Sequence, residues 1–92
     1  MNITFHYTAH LKNAGDGTEQ ILSVEDGATL RNCFETLCET ISPELRTLLV
    51  DASAQLRPAI LLCVDNEQKL LDDPAPLRPG AQITLLAAIS GG

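Results

Sequence analysis

The strongest constraint on the fold is an apolar stripe of helical period in the middle of the chain. Its members recur three and four residues apart, and they are Leu30, Cys33, Phe34, Leu37, Cys38 and Ile41. This spacing places all of these side chains on one face of a helix. Thr29 stands where an N-cap is expected, with a hydroxyl that can accept from a free amide of the first turn. The sequence therefore predicts an amphipathic helix over residues 29–41, whose apolar face must be buried against another layer.

Alternation of apolar and polar residues predicts two strands before this helix. Residues 2–8 alternate with a period of two and are rich in aromatic and β-branched side chains. Residues 19–24 have the composition of a second strand, and the segment 13–18 between them has the composition of a turn. We therefore expect an antiparallel hairpin whose loop is longer than two residues.

Further elements are expected after the main helix. Ser42 followed by Pro43 predicts the start of a short second helix over residues 44–50, because proline suits the first helical position. The continuous apolar run 59–64 is too short for a helix and predicts a strand that is covered on both faces. The remaining predicted elements are a turn over 65–68, a short return strand over 69–71 and a final strand over 82–89.

This order of elements predicts the fold class. One long helix can cover one face of a single sheet, so the simplest arrangement has two layers. The first and last strands then lie side by side at the centre of a mixed sheet. We expect an α+β protein with the β-grasp, or ubiquitin-like, architecture, in which residues 1–92 form one domain and residues 90–92 a C-terminal Gly-Gly tail.

Composition and charge narrow the range of partners. The net charge of −6 argues against nucleic acid and against an anionic membrane surface, because phosphate binding needs clustered Lys and Arg. No signal peptide can be read, and no apolar run approaches the roughly 18 residues of a membrane span. Cys33, Cys38 and Cys63 lie in apolar runs without CxxC spacing, which favours buried thiols in a reducing cytoplasm.

The common catalytic motifs are missing from this sequence. It contains no P-loop, no Gly-x-Ser-x-Gly and no His-Glu-x-x-His. No acid or cysteine partner is predictable for His6 or His10, so exposed structural roles are favoured. Asp72 and Asp73 supply too few ligands for a cation and are expected to form a turn.

Gly91 and Gly92 follow the predicted final strand almost directly. Glycine has no Cβ, so this backbone can enter a slot that is closed to other residues. The carboxylate of Gly92 would then be the only reactive group at the end of the chain. Composition alone leaves a functional segment and an inert one equally open.

The final strand is apolar on both faces. Ile83 and Leu85 are expected to face the main helix, so that Leu86 and Ala88 face outward. An apolar patch beside the C-terminal segment would be a docking surface for a partner. The alternative is that residues 51–58 cover Leu86.

Two segments near the C-terminus carry a family resemblance. Residues 76–81 read Pro-Leu-Arg-Pro-Gly-Ala, and residues 89–92 read Ile-Ser-Gly-Gly. Their layout resembles that of ubiquitin-like sulfur carriers, in particular the small subunit of molybdopterin synthase, which show Pro-Leu-x-x-Gly-Asp and then Val-Ser/Thr-Gly-Gly. The chain departs from that layout at Ala81, where the family often has Asp, and at Ala87-Ala88, where it often has Pro-Pro or Pro-Ala.

The resemblance implies a carrier without a side-chain catalytic site or a bound cofactor of its own. A ubiquitin-activating-like adenylyltransferase would use ATP to convert the Gly92 carboxylate into an acyl-adenylate, and a sulfur donor enzyme would supply the sulfur of a thiocarboxylate. The large subunit of molybdopterin synthase would then bind the C-terminal segment and use its sulfur on a pterin precursor. The residues that would contact these partners are Leu86, Ala88, Ser90 and Gly91.

Other functions stay open at this point. A carrier for thiamine or another thio-cofactor would use the same chemistry, although the extra helical turn at 43–50 favours the molybdopterin branch. A ubiquitin-like modifier would be joined to lysine side chains through Gly92. The remaining alternative is a β-grasp interaction module whose C-terminal residues do nothing.

Overall fold

The structure is a computed structural model that describes residues 1–8, 11–12 and 17–87 of the chain. The elements in these ranges are β1 (Asn2–Tyr7), β2 (Glu19–Ser23), α1 (Leu30–Thr40), α2 (Pro43–Leu49), β3 (Ile60–Val64), β4 (Glu67–Lys69) and β5 (Gln82–Ala87). The strands form one mixed sheet in the order β2-β1-β5-β3-β4. β1 runs parallel to β5, and the other neighbouring strands are antiparallel. This arrangement confirms the predicted α+β class and the β-grasp architecture.

The core lies between the sheet and α1. Alternate residues of the two central strands are completely buried there, and they include Phe5 of β1 and Leu85 of β5. The predicted stripe of α1 packs into the same core, except that Cys38 is only half-buried. Burial of a Leu or Phe side chain contributes about 1.5–3 kcal/mol, so the alternating and helical patterns together supply the main stabilisation.

Both helices begin as their sequences predict. The Asn32 amide donates to the Thr29 hydroxyl at 3.3 Å, and the Thr29 amide donates to the Asn32 side-chain oxygen at 3.1 Å. This reciprocal pair is a capping box for α1. Ser42 caps α2 by accepting from the Leu45 amide at 3.2 Å, with Pro43 as the first helical residue.

Two arginines stabilise the ends of the helices in a way that the sequence did not predict. The Arg46 Nε donates to the carbonyl of Cys38 in the last turns of α1, and the Arg57 Nε donates to the carbonyl of Thr47 in α2, both at 2.8 Å. These carbonyls lie near the negative end of each helix dipole, where a cation is favourable. The bonds fix the connection between α1, α2 and the segment that leads into β3.

Two predictions for the β3–β4 hairpin are wrong. β3 is not covered on both faces, because Ile60 and Leu62 are buried while Leu61 and Cys63 are half-buried. The predicted turn over 65–68 is also too long, since Asp65 and Asn66 alone make it and β4 starts at Glu67. Both turn residues have positive φ, 49° and 73°, as a two-residue turn requires, and Asp and Asn tolerate that conformation.

The C-terminal part of the predicted last strand, Ala88 and Ile89, lies outside the described residues. In the parts of the chain that the structure describes, no helix is both long enough and apolar enough to cross a membrane.

Candidate docking surface beside the C-terminal segment

β5 is the strand that leads into the C-terminal segment, and it lies in the middle of the sheet. Its residues pair with β1 on one side, from Thr4↔Gln82 to Tyr7↔Leu85, and with β3 on the other. The amide hydrogens of a strand that is bonded on both sides exchange with solvent only when the sheet opens. β5 is therefore a stable support for the residues that follow it in the sequence. The predicted site residues Ala88, Ser90, Gly91 and Gly92 themselves lie outside the described residues.

The two faces of β5 differ as the sequence predicted. Ile83 and Leu85 are 0% exposed and belong to the core, which confirms their inward orientation. Because side chains alternate along a strand, Thr84 and Leu86 lie on the opposite face of the sheet, away from α1. Leu86 is half-buried there. The alternative that residues 51–58 cover it stays a prediction.

Leu86 has apolar neighbours on this face from the adjacent strand. It stands opposite Leu61 of β3, and the next outward pair along the strands is Thr84 opposite Cys63. Leu61 and Cys63 are half-buried, as Leu86 is. We call Leu61, Cys63 and Leu86 the outer patch. It is a small apolar surface at the end of the sheet where β5 runs toward residue 88.

A hydrogen-bonded cluster fixes the start of β5. The Asp65 carboxylate accepts from the Arg78 Nε at 2.9 Å and from the Gln82 amide at 3.0 Å. The bond to Arg78, followed by the bond to the Gln82 amide, holds the pKa of Asp65 below its usual range. Gly80, with φ of 80°, makes the turn between these residues, as predicted. The hairpin turn and the loop before β5 are therefore locked to each other.

His6 has an acidic partner that the sequence analysis missed. Its Nδ1 lies 3.5 Å from a carboxylate oxygen of Glu19, and its Nε2 lies 2.5 Å from the side-chain oxygen of Gln82. The β1–β2 register, which places His6 opposite Glu19, could have revealed this contact. The three side chains connect β2, β1 and β5 on the outer face, so His6 has a structural role in this arrangement. His10 lies outside the described residues.

The thiols and the acidic pair behave largely as expected within the described residues. Cys33 is buried and Cys38 is half-buried, and burial raises the pKa of both thiols. Cys63 is half-buried, and all three cysteines are free. The Asp73 carboxylate accepts from the Ala75 amide at 2.9 Å, which confirms a turn-forming role. No group of three or more His, Cys, Asp or Glu in the described ranges could hold a metal ion.

Comparison with solved structures places this architecture among the ubiquitin-like β-grasp proteins. Small archaeal modifier protein 1 (SAMP1) from Haloferax volcanii superposes with a TM-score of 0.86 at 18% identity, over 100% of both chains. Urm1 from Trypanosoma brucei matches with a TM-score of 0.73 at 23% identity, over 99% of this chain and 95% of that chain.

A further match is the putative molybdopterin converting factor, subunit 1, from Pyrococcus furiosus, with a TM-score of 0.72 at 15% identity, over 97% of this chain and 99% of that chain. Neither a protein-family model nor a curated protein matches the chain. At these identities the likeness establishes the ubiquitin-like fold.

Proposed function

We propose that this protein is a sulfur carrier for molybdopterin synthesis, in which the carboxylate of Gly92 carries the sulfur. The observation that supports this most is the position of β5. It is the central strand, it is bonded on both sides, and it leads from the outer patch toward Ser90-Gly91-Gly92 in the sequence. The same fold in a putative molybdopterin converting factor subunit supports the choice of pathway.

The chemistry requires little from the side chains of this protein. A free carboxylate is a poor electrophile, so an oxygen of Gly92 would first attack the α-phosphorus of ATP and release pyrophosphate. Hydrosulfide from the sulfur donor would then attack the acyl-adenylate carbon and displace AMP, which leaves a thiocarboxylate. The thiocarboxylate is a soft nucleophile whose sulfur would displace an oxygen leaving group from a carbon of the pterin precursor. Water would then hydrolyse the acyl–sulfur bond, so that the sulfur stays on the precursor and Gly92 returns to its carboxylate form. Gly91 and Gly92 suit these steps because a chain without Cβ atoms fits a narrow active site.

The body of the protein would provide recognition. The outer patch lies on β3 and β5, and Leu86 stands only six positions before Gly92 in the sequence. The net charge of −6 favours partners with basic docking surfaces, since such complementarity raises the rate of encounter. An adenylyltransferase and the large subunit of molybdopterin synthase would each dock on this patch, one at a time, and receive the C-terminal segment.

A ubiquitin-like modifier is the second candidate. Two solved structures with this fold are those of small archaeal modifier protein 1 from Haloferax volcanii, one of them with a TM-score of 0.83 at 16% identity over 96% of this chain and 98% of that chain. A modifier would use the same acyl-adenylate of Gly92 but would end in an isopeptide bond to a lysine. The two functions differ in the group that attacks the activated carbon.

Reconstitution of the final step tests the proposed pathway. The thiocarboxylated protein is mixed with a molybdopterin synthase large subunit and the pterin precursor, and the dithiolene product and the mass of the carrier are followed. Formation of product with return of the carrier to its carboxylate form is expected, and a variant without Gly92 is the control. If sulfur moves only to a thiazole precursor with thiamine enzymes, or if lysine adducts form in lysate instead, the molybdopterin assignment is wrong.

A further inference from the structure

β2 is an edge strand of the sheet, and its outer side, which pairs with no other described strand, has the features of a binding site. The Val24 amide donates to the Met1 carbonyl and the Tyr7 amide donates to the Thr18 carbonyl, which fixes the alternation of bonded pairs between β1 and β2. Glu19, Ile21 and Ser23 then fall at the non-bonded positions of this ladder. Their backbone N–H and C=O groups therefore point away from β1, toward the open edge.

Residues 19–23 of β2 contain no lysine, proline or bulge. Lysine, proline and bulges are common on free edges because they prevent another strand from adding. The sequence of β2 is Glu-Gln-Ile-Leu-Ser, and its register with β1 is continuous over all five residues. Ile21, in the middle of the edge, is a large apolar residue that is 62% exposed. Such an edge is a template for one more strand.

A groove of about 710 Å³ runs beside the end of this edge, between residues 23–28 and the Asn32 and Thr36 positions of α1. The Gln20 side chain donates to the Thr40 hydroxyl at 3.0 Å, which ties β2 to α1 at the other end of the groove. An added strand at β2 would therefore have a wall on its inner side, formed by the polar residues of α1.

The charge of the groove identifies the chemistry of its occupant. Glu25 and Asp26 line it and are exposed, and no Lys or Arg is among the described residues that line it. Asp26 pairs with the ammonium group of Met1, whose nitrogen lies 3.3 Å from a carboxylate oxygen. A second copy of this chain would supply no basic residue to these acids, because antiparallel pairing about Ile21 would place Gly17 of one copy opposite Glu25 of the other. A basic segment would find complementary charge.

We propose that the β2 edge and the adjoining groove bind an extended, Lys- or Arg-containing segment of a partner protein, which adds to the sheet as a sixth strand. Main-chain bonds to Glu19, Ile21 and Ser23 provide affinity, and the acids at 25 and 26 select for basic residues. This edge is separated from β5, the strand that carries Leu86 of the outer patch, by β1 alone, about 10 Å in a sheet.

The test is an NMR titration of the intact ¹⁵N-labelled protein with an acetylated and amidated heptapeptide of alternating Lys and Val. The amides of Glu19, Ile21 and Ser23 should shift and become protected from exchange, while those of Gln20 and Leu22, which already bond to β1, should change little. A peptide with Glu in place of Lys should bind at least about tenfold more weakly, because it meets like charge. A Lys-Val peptide N-methylated on its pairing side should not bind.

Ile21→Pro removes one N–H at the edge of β2 but breaks no bond to β1, because the Ile21 N–H points away from β1. Proline is tolerated at such a position of an edge strand. Ile21→Pro should weaken binding of the Lys-Val peptide by about tenfold. Ile21→Thr keeps the N–H and should weaken that binding by much less. If Ile21→Pro does not fold, the N-methylated peptide makes the same test on the unaltered protein. The proposal is overturned if no binding is seen at millimolar peptide, or if the Glu peptide binds equally well. It is also overturned if the shifts centre on Leu61 and Leu86, which means binding at the outer patch, or if shifts at the β2 edge depend only on protein concentration, which means self-association.

Discussion

The Asp65 amide donates to the Gln82 carbonyl at 2.8 Å, and the Gln82 amide donates back to the Asp65 carboxylate at 3.0 Å. These two hydrogen bonds join the β3–β4 turn to the first residue of β5. Arg78 completes the cluster with a bond of 2.9 Å to the other carboxylate oxygen. One carboxylate therefore helps to fix the start of β5, and its effect on stability is measurable.

We expect Asp65→Asn to lower the free energy of unfolding by about 1 kcal/mol near neutral pH, because charge-assisted bonds become neutral ones and Arg78 is largely exposed. The folded-state pKa of Asp65 is lowered, so its contribution is complete above the unfolded value of about 3.9 and is lost as the pH falls through the folded value. In urea unfolding at a series of pH values, the difference in unfolding free energy between the unaltered protein and Asp65→Asn should therefore become smaller in acid. Asp72→Asn, at an exposed position, is the control, and an equal deficit there would contradict this account.

Leu85 and Leu86 provide a second prediction, because they are adjacent in β5 but lie on opposite faces of the sheet. Leu85 faces the core and Leu86 belongs to the outer patch. Leu85→Ala should cost about 2–5 kcal/mol of unfolding free energy because it leaves a cavity in the core. Leu86→Ala should cost less than about 1.5 kcal/mol, since that side chain is only partly buried. Thermal unfolding measures both. Calorimetry with the activating enzyme should show weaker binding for Leu86→Ala, and unchanged binding would remove the outer patch from the proposed function.

The capping box of α1 provides a third prediction. Thr29→Ala removes the acceptor for the Asn32 amide and should cost about 1 kcal/mol in chemical unfolding. Thr47→Ala is a matched control on α2, where the hydroxyl bonds back to the Pro43 carbonyl inside the helix. That substitution should be neutral or slightly stabilising, because alanine is the better helix former. Equal losses in the two variants would argue against a special role of the cap.

Gly80 provides a fourth prediction. Its φ of 80° is unfavourable for residues that have a side chain. The space that a Cβ would occupy is open, because no atom beyond the chain neighbours of Gly80 lies within 4 Å of it. Gly80→Ala should therefore cost about 1 kcal/mol from backbone strain alone, without steric overlap. Gly80→Asn should cost less, since Asn tolerates this conformation better. Differential scanning calorimetry compares the two, and an unchanged melting temperature for Gly80→Ala would show that the loop adjusts.

Much of the fold could be predicted because the relevant signals are local. The apolar stripe from Leu30 to Ile41 and the caps at Thr29 and Ser42 depend on residues within a few positions of each other. The alternation over residues 2–8 likewise indicates which side chains are inward. The outward position of Leu86 follows from the same alternation in β5.

The sequence analysis was wrong or silent where spatial neighbours decide the structure. Residues 65–68 are all polar, so composition could not show that Asp65 and Asn66 alone adopt positive φ and that β4 starts at once. The burial of β3 depends on how many layers cover the sheet, which an apolar run does not reveal. The contact of His6 with Glu19 needs the register of the hairpin, and the edge of β2 is recognisable only from the order of the strands.

The measurement that tests the central claim most directly is the intact mass of the protein after incubation with a cognate activating enzyme, ATP and a sulfur donor. We predict the mass change for replacement of one oxygen by sulfur, located at Gly92 by fragmentation, and no such change in a variant without Gly92 whose melting temperature is unaltered. An unchanged mass with every cognate activating enzyme, or sulfur found on a cysteine instead of Gly92, would contradict the account.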